Sequence, residues 1–117
     1  MADDWNDAHD IIYAACGRVA AAMAEQTNTL SFRVEQDPKL VFIYEAQSNE
    51  ALTFRLKGDN SAVEVLRGTT LSIAGDDTNR APQHPDAPTN TWAFGQVTED
   101  VVTTSVHLWM HDNNLMS

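Results

Sequence analysis

The chain has 117 residues, 43% of them hydrophobic and 21% charged, with seventeen acidic against seven basic side chains and a formal net charge of −10. This is enough apolar material for one folded core and places the chain outside the low-hydropathy, high-charge range of disordered segments. It also excludes nucleic-acid binding, which relies on lysine and arginine to neutralise phosphates.

A single cysteine, Cys16, precludes an intrachain disulfide, and its apolar neighbours mark it as a small buried hydrophobe. The first ten residues, MADDWNDAHD, are acidic where a secretory signal is basic, and the apolar stretch that follows is interrupted by Arg18. No run has the roughly 18 uninterrupted apolar residues of a membrane span, so the chain is expected to be cytoplasmic, without membrane contact.

From Asp4 to about Gln26, Trp5, Ile12, Cys16, Val19 and Met23 recur at helical spacing, with Ala8, Ala15 and Ala22 completing the stripe. Asp3 or Asp4 can cap the first amides, and Thr27-Asn28 supplies a stop. Gly17 costs such a helix about 1 kcal/mol relative to alanine, and a close approach of helix to sheet is the expected reason for it.

Short segments follow at 30–35, 39–46, 51–57, 62–67 and 70–74. In the first, Leu30, Phe32 and Val34 alternate with Ser31, Arg33 and Glu35, the period of a half-buried strand; the second is apolar on both faces. The connections Asp37-Pro38, Ser48-Asn49-Glu50, Gly58-Asp59-Asn60 and Gly68 are short and built of turn formers, which predicts an antiparallel meander. Its outer face is expected to hold alternating charges in solvent. Residues 75–90, with three prolines and no large apolar side chain, read as a long loop, and 91–97 as a further strand. For 98–112 a helical stripe (Val102, Ser105, Val106, Trp109, Met110) competes with strand-like alternation and a β-branched run. Thr98-Glu99-Asp100 as a start and His111 with Asn113 or Asn114 as an end favour the helix. The expected fold is therefore α+β: an antiparallel meander sheet of five to six strands with an N-terminal and a C-terminal helix packed on one face, in one domain spanning 1–117.

Chemistry-bearing motifs are sparse. His107 and His111 share a helix face at a spacing of four and could hold zinc with Asp112 or His84, but neither an HExxH glutamate nor a cysteine pair accompanies them. His9 and Asp10 are adjacent and diverge on a helix, so they form no dyad, and His9 is expected to face solvent. Neither a nucleophile elbow nor a glycine-rich phosphate loop is present, and no cofactor is expected. Trp5, Trp92 and Trp109 each fall on an apolar stripe and read as core.

The charge itself is the strongest pattern. Residues 1–27 carry a net −4, residues 28–75 a net −1 and residues 76–117 a net −5. Asp3, Asp4, Asp7, Asp10, Asp76, Asp77, Asp86, Glu99 and Asp100 then form a candidate surface for a basic protein partner. In broad outline a small acidic α+β domain resembles secretion chaperones, inhibitors and toxin-neutralising immunity proteins, at the level of fold alone. The reading is a non-catalytic protein-binding module. The alternatives are a small metal-dependent hydrolase using His and Asp residues, or a structural subunit that self-associates, as a homodimer for example, through a sheet edge or face.

Overall fold

A computed structural model describes residues 2–26, 30–73, 76–83 and 88–115, with side chains described outside 71–80. The N-terminal stripe folds as α1 (Trp5–Gln26), which buries Ala8, Ile12, Ala15, Cys16, Val19 and Met23. Strands β1 (Phe32–Asp37), β2 (Leu40–Glu45), β3 (Glu50–Leu56), β4 (Val63–Ile73) and β5 (Asp76–Gln83) follow as an antiparallel meander in that spatial order. A short β6 (Asn90–Trp92) pairs with the start of β4, and one 3-10 turn at Phe94–Gln96 leads into α2 (Glu99–Asp112). The expected α+β architecture is the one observed, and 98–112 is the helix its capping signals favoured.

The core lies between the helices and one face of the sheet. Val41 and Ile43 of β2, Leu52 and Phe54 of β3, and Val63 and Val65 of β4 meet the stripe of α1 and Val102, Val106, Trp109 and Met110 of α2. Each such large side chain, fully withdrawn from water, contributes about 1.5–3 kcal/mol. The helix ends are well made. Asn114 adopts a left-handed conformation (φ 57°) after α2, the Asn114 amide donates to the His111 carbonyl and the Leu115 amide to that of Met110. This is a Schellman closure with asparagine at the left-handed position, and buried Leu115 is its apolar clasp. Asn49 (φ 64°) and Asn60 (φ 63°) supply the same conformation to the β2–β3 and β3–β4 turns.

Five expectations are corrected. Segments 62–67 and 70–74 are one strand: Gly68 pairs with Ala51, and β3 ladders to residues on both sides of it, so a local turn former is held extended by its neighbour. Residues 76–83 are β5 and not loop. Their sequence, DDTNRAPQ, has little strand propensity, but the free edge of β4 from Thr69 to Ile73 supplies the ladder, and Pro82 is tolerated because β5 is an outer strand. The strand expected at 91–97 ends at Trp92; the Ala93 amide then donates to Gln96 Oε1 (2.9 Å) as the chain turns. At β1, Arg33 and Glu35 hold exposed charge on the sheet face away from the helices, as expected. Across β2–β4 that face is not a charged solvent face, because the sheet curls and brings β5 against β3. Phe42, Tyr44, Ala51, Thr53, Leu66 and Thr70 are all buried there, and the Arg55–Glu64 pair (3.0 Å) sits among them. Finally, Gly17 is exposed, and a Cβ built on it meets nothing within 4 Å, so no close approach of helix to sheet accounts for it.

Candidate functional site

α2 begins alongside the middle of α1, where Glu99 pairs with Arg18 and shares a groove with Asp10, Ile11 and Ala14. The Trp5 indole N–H donates to the Pro38 carbonyl (2.7 Å), and His9 Nε2 lies 2.9 Å from the Asp37 carbonyl oxygen, which fixes the first turns of α1 to the β1–β2 turn. A carbonyl can only accept, so Nε2 carries the ring proton. His9 is thus half-buried, with Trp5 edge-on at 5.5 Å, rather than solvent-facing as expected. Asp4, Trp5 and Asn6 share a shallow groove with Leu56, Asn60 and Phe94, which brings the β3–β4 turn and the approach to α2 to the start of α1 as well.

The acids of α1 and of the first turn of α2 are of two kinds. Asp4 caps α1, accepting from the Asp7 amide (3.0 Å), and Asp7 accepts from the Asp3 amide (3.3 Å). These carboxylates satisfy amides that the helix leaves open and sit at the positive end of its dipole. Thr98 does the same for α2, accepting from the Val101 amide (3.3 Å), and Glu99 of that first turn pairs with Arg18 across the helices. The other kind has no such task. Asp3 and Asp100 are exposed and have no ion-pair partner among the described residues, and Asp10 is nearly bare, with His9 Nδ1 4.0 Å away. A groove of about 360 Å³ between the helices is lined by Asp10, Ile11, Ala14, Arg18, Thr98 and Glu99.

Along one face α2 exposes Val101, in its first turn, and Leu108 (54% accessible), seven residues on beside Arg67, with Thr104 and Ser105 between them. Trp92, Asp100, Val101, Thr104 and Ser105 line a second shallow groove on that side of α2. The arrangement joins negative charge to a modest apolar surface. That combination suits association: charge sets encounter rate and orientation, and apolar contact holds the complex.

Other sequence candidates fall elsewhere. The backbone of Asp76 and Asp77 opens β5 on the far side of β4, and Asp86 and His84 lie outside the described residues. His107 and His111 are exposed on α2, with His111 Nδ1 3.7 Å from Asp112 Oδ1; no three His, Cys, Asp or Glu side chains converge on a metal position among the described residues. Cys16 is fully buried, and desolvation pushes its thiol up to about 12, far from a reactive thiolate. Trp109 is wholly buried and Trp5 and Trp92 are packed against the core, as their stripes predicted.

Glu45 was missed by sequence reasoning. It ends β2 at 1% exposure, with Oε2 accepting from the Ser31 (3.0 Å) and Gln47 (3.1 Å) amides and Oε1 from the Ser48 amide (2.8 Å). Burial alone would raise its pKa; the amide donors outweigh that and hold the carboxyl below the ordinary glutamate range. The available signal was an acid closing an otherwise apolar strand just before the turn formers Gln47-Ser48-Asn49. Its ring of donors ties β1 to the β2–β3 turn and leaves the carboxylate no free face for chemistry.

No helix among the described residues is long and apolar enough to cross a membrane. Comparison with known proteins adds no identity: no protein-family model, curated protein or solved structure matches the chain.

Proposed function

We propose that the protein is a non-catalytic binding module whose exposed acids at α1 and at the first turn of α2 engage a basic protein partner. The observation that carries this is that Asp10 of α1 and Glu99 of α2, distant in sequence, line one groove, with Asp3, Asp10 and Asp100 exposed and committed to no structural bond. Uncommitted charges of one sign in one region produce a field that reaches roughly 10 Å at moderate ionic strength and accelerates encounter with an opposite charge. On α2, Val101 and Leu108 give the partner an apolar contact.

The test is retention of proteins from a host extract on the immobilised chain, at low and high salt, beside the variant Asp3→Asn/Asp10→Asn/Asp100→Asn. A basic protein held by the wild type, lost from the variant and released as salt rises supports the reading. The same proteins held equally by both at all salt concentrations would refute it.

A further inference from the structure

We infer that the outer edge of β1 is a pairing surface for a second copy of this chain, joined in antiparallel fashion about a two-fold axis at Val34. This inference is independent of the proposed binding of a basic partner.

The two outer edges of the sheet differ. Beyond β4 the ladder is occupied twice, by β5 along Thr69–Ile73 and by β6 along Val63–Val65, and β5 carries Pro82. β1 pairs only with β2 among the described residues, runs in unbroken register from Phe32 to Asp37, and contains neither a proline nor a bulge. Proline and bulges are usual protections of an edge against another chain, and β1 has neither; its charges, Arg33, Glu35 and Asp37, are of both signs.

Its ladder shows which groups are free. The Ala46 amide donates to the Ser31 carbonyl, and the Leu56 amide to that of Lys39, so the hydrogen-bonded pairs between β1 and β2 are those of residues 31, 33, 35 and 37. The amides and carbonyls of Phe32, Val34 and Gln36 therefore point outward. A second β1 can use them only in registers that align these residues with one another.

Charge selects among those registers. Arg33 and Glu35 are exposed, lie on the face away from the helices, and have no ion-pair partner among the described residues. With Val34 opposite its own symmetry mate, Arg33 faces the partner's Glu35 twice, in the non-hydrogen-bonded positions where Cβ atoms are about 4.5–5.5 Å apart. Moving the axis to Glu35 sets two glutamates face to face, and moving it to Arg33 sets two arginines so. The Val34 axis also turns the α1 starts of the two copies in opposite directions, which keeps their like charges apart. On the helix side, Phe32 and Val34 are half-buried, and Tyr13, one turn after His9 on the flank of α1 that reaches Asp37, is 41% exposed.

Sedimentation equilibrium over a wide concentration range tests this on the full chain. The wild type is expected to dimerise reversibly in the micromolar range. Arg33→Glu and Glu35→Arg should each weaken the dimer by about tenfold, while Arg33→Glu/Glu35→Arg together restore it, since the swapped pair is again complementary. Gln36→Pro removes an outward amide that β2 does not use and should abolish the dimer. Its circular dichroism checks that the monomer still folds, and if it does not, the charge-swap series decides alone. A wild type that stays monomeric throughout, a dimer indifferent to these substitutions, or a double variant as weak as either single one would overturn the inference.

Discussion

At α1 and the first turn of α2, Asp3, Asp10 and Asp100 stand in water with no structural partner. At the end of β2 remote from the start of α1, Glu45 is withdrawn from solvent and surrounded by three backbone amides. The ionisable group is a carboxylate in both places, and the difference lies in what it replaces. Glu45 substitutes for water at amides that folding would otherwise strand, so its charge belongs to the fold. The exposed acids of the helices add to a field without completing a hydrogen-bond network, so they are available to a partner. Asp4 and Asp7 stand between these extremes, exposed and yet engaged as caps.

The comparison breaks most visibly at Glu45. Glu45→Gln sets a carboxamide, half of which is itself a donor, against a ring of donors, and should lower unfolding free energy by about 2–3 kcal/mol. The dependence on pH follows from the lowered pKa of Glu45. The stabilisation is fully present above the unfolded value, near 4.3, and is lost as pH falls through the folded one. Wild type and variant should therefore converge on acidification, in denaturant titrations from pH 7 down to about 3. A gap that stays constant with pH would mean that the ionised form is not what the amides hold.

The cap is the intermediate case. Asp4→Ala should cost about 1 kcal/mol, and Asp4→Ser, which keeps an acceptor without the charge, should recover most of it. If serine recovers nothing, charge at the helix start outweighs the hydrogen bond, and Asp4 belongs with its uncommitted neighbours.

Local signals carried the architecture because they coincide with what tertiary packing requires. The stripe from Trp5 to Met23, the turns at Asn49 and Asn60, and the ends of α2 at Thr98 and Asn114 could all be read from spacing and turn chemistry. The reading failed where a neighbouring strand overrides the local preference. Gly68 is extended because β3 ladders across it, and 76–83 is a strand because β4 offers an edge. The buried outer face of the sheet follows from its curl, a property of several strands together that no single segment announces. Of the site, the acids of the two helices could be read from the sequence, but their division into caps and free charges could not, since it depends on which amides each carboxylate reaches.

Gly17 lies in the exposed middle of α1, with open space where a side chain would go. Gly17→Ala should raise stability by about 0.5–1 kcal/mol through the restricted unfolded chain and better helix propensity, measured as a shift in denaturant midpoint at constant slope. Loss of stability instead would point to a contact at this position beyond those described.

The smallest expected effect on folding is the one that matters most to function. Replacing Asp3, Asp10 and Asp100 together by asparagine removes three negative charges and no hydrogen bond that holds the fold. Relief of mutual repulsion offsets the lost interaction with the helix dipoles, so the unfolding free energy should stay within about 0.5 kcal/mol of wild type. Association with a basic partner should meanwhile slow, and its dependence on salt should flatten, because the steering field has been reduced while the apolar contact at Val101 and Leu108 remains. A variant as destabilised as Glu45→Gln would place these acids in the fold rather than in the interface, and the contrast between them and Glu45 would disappear.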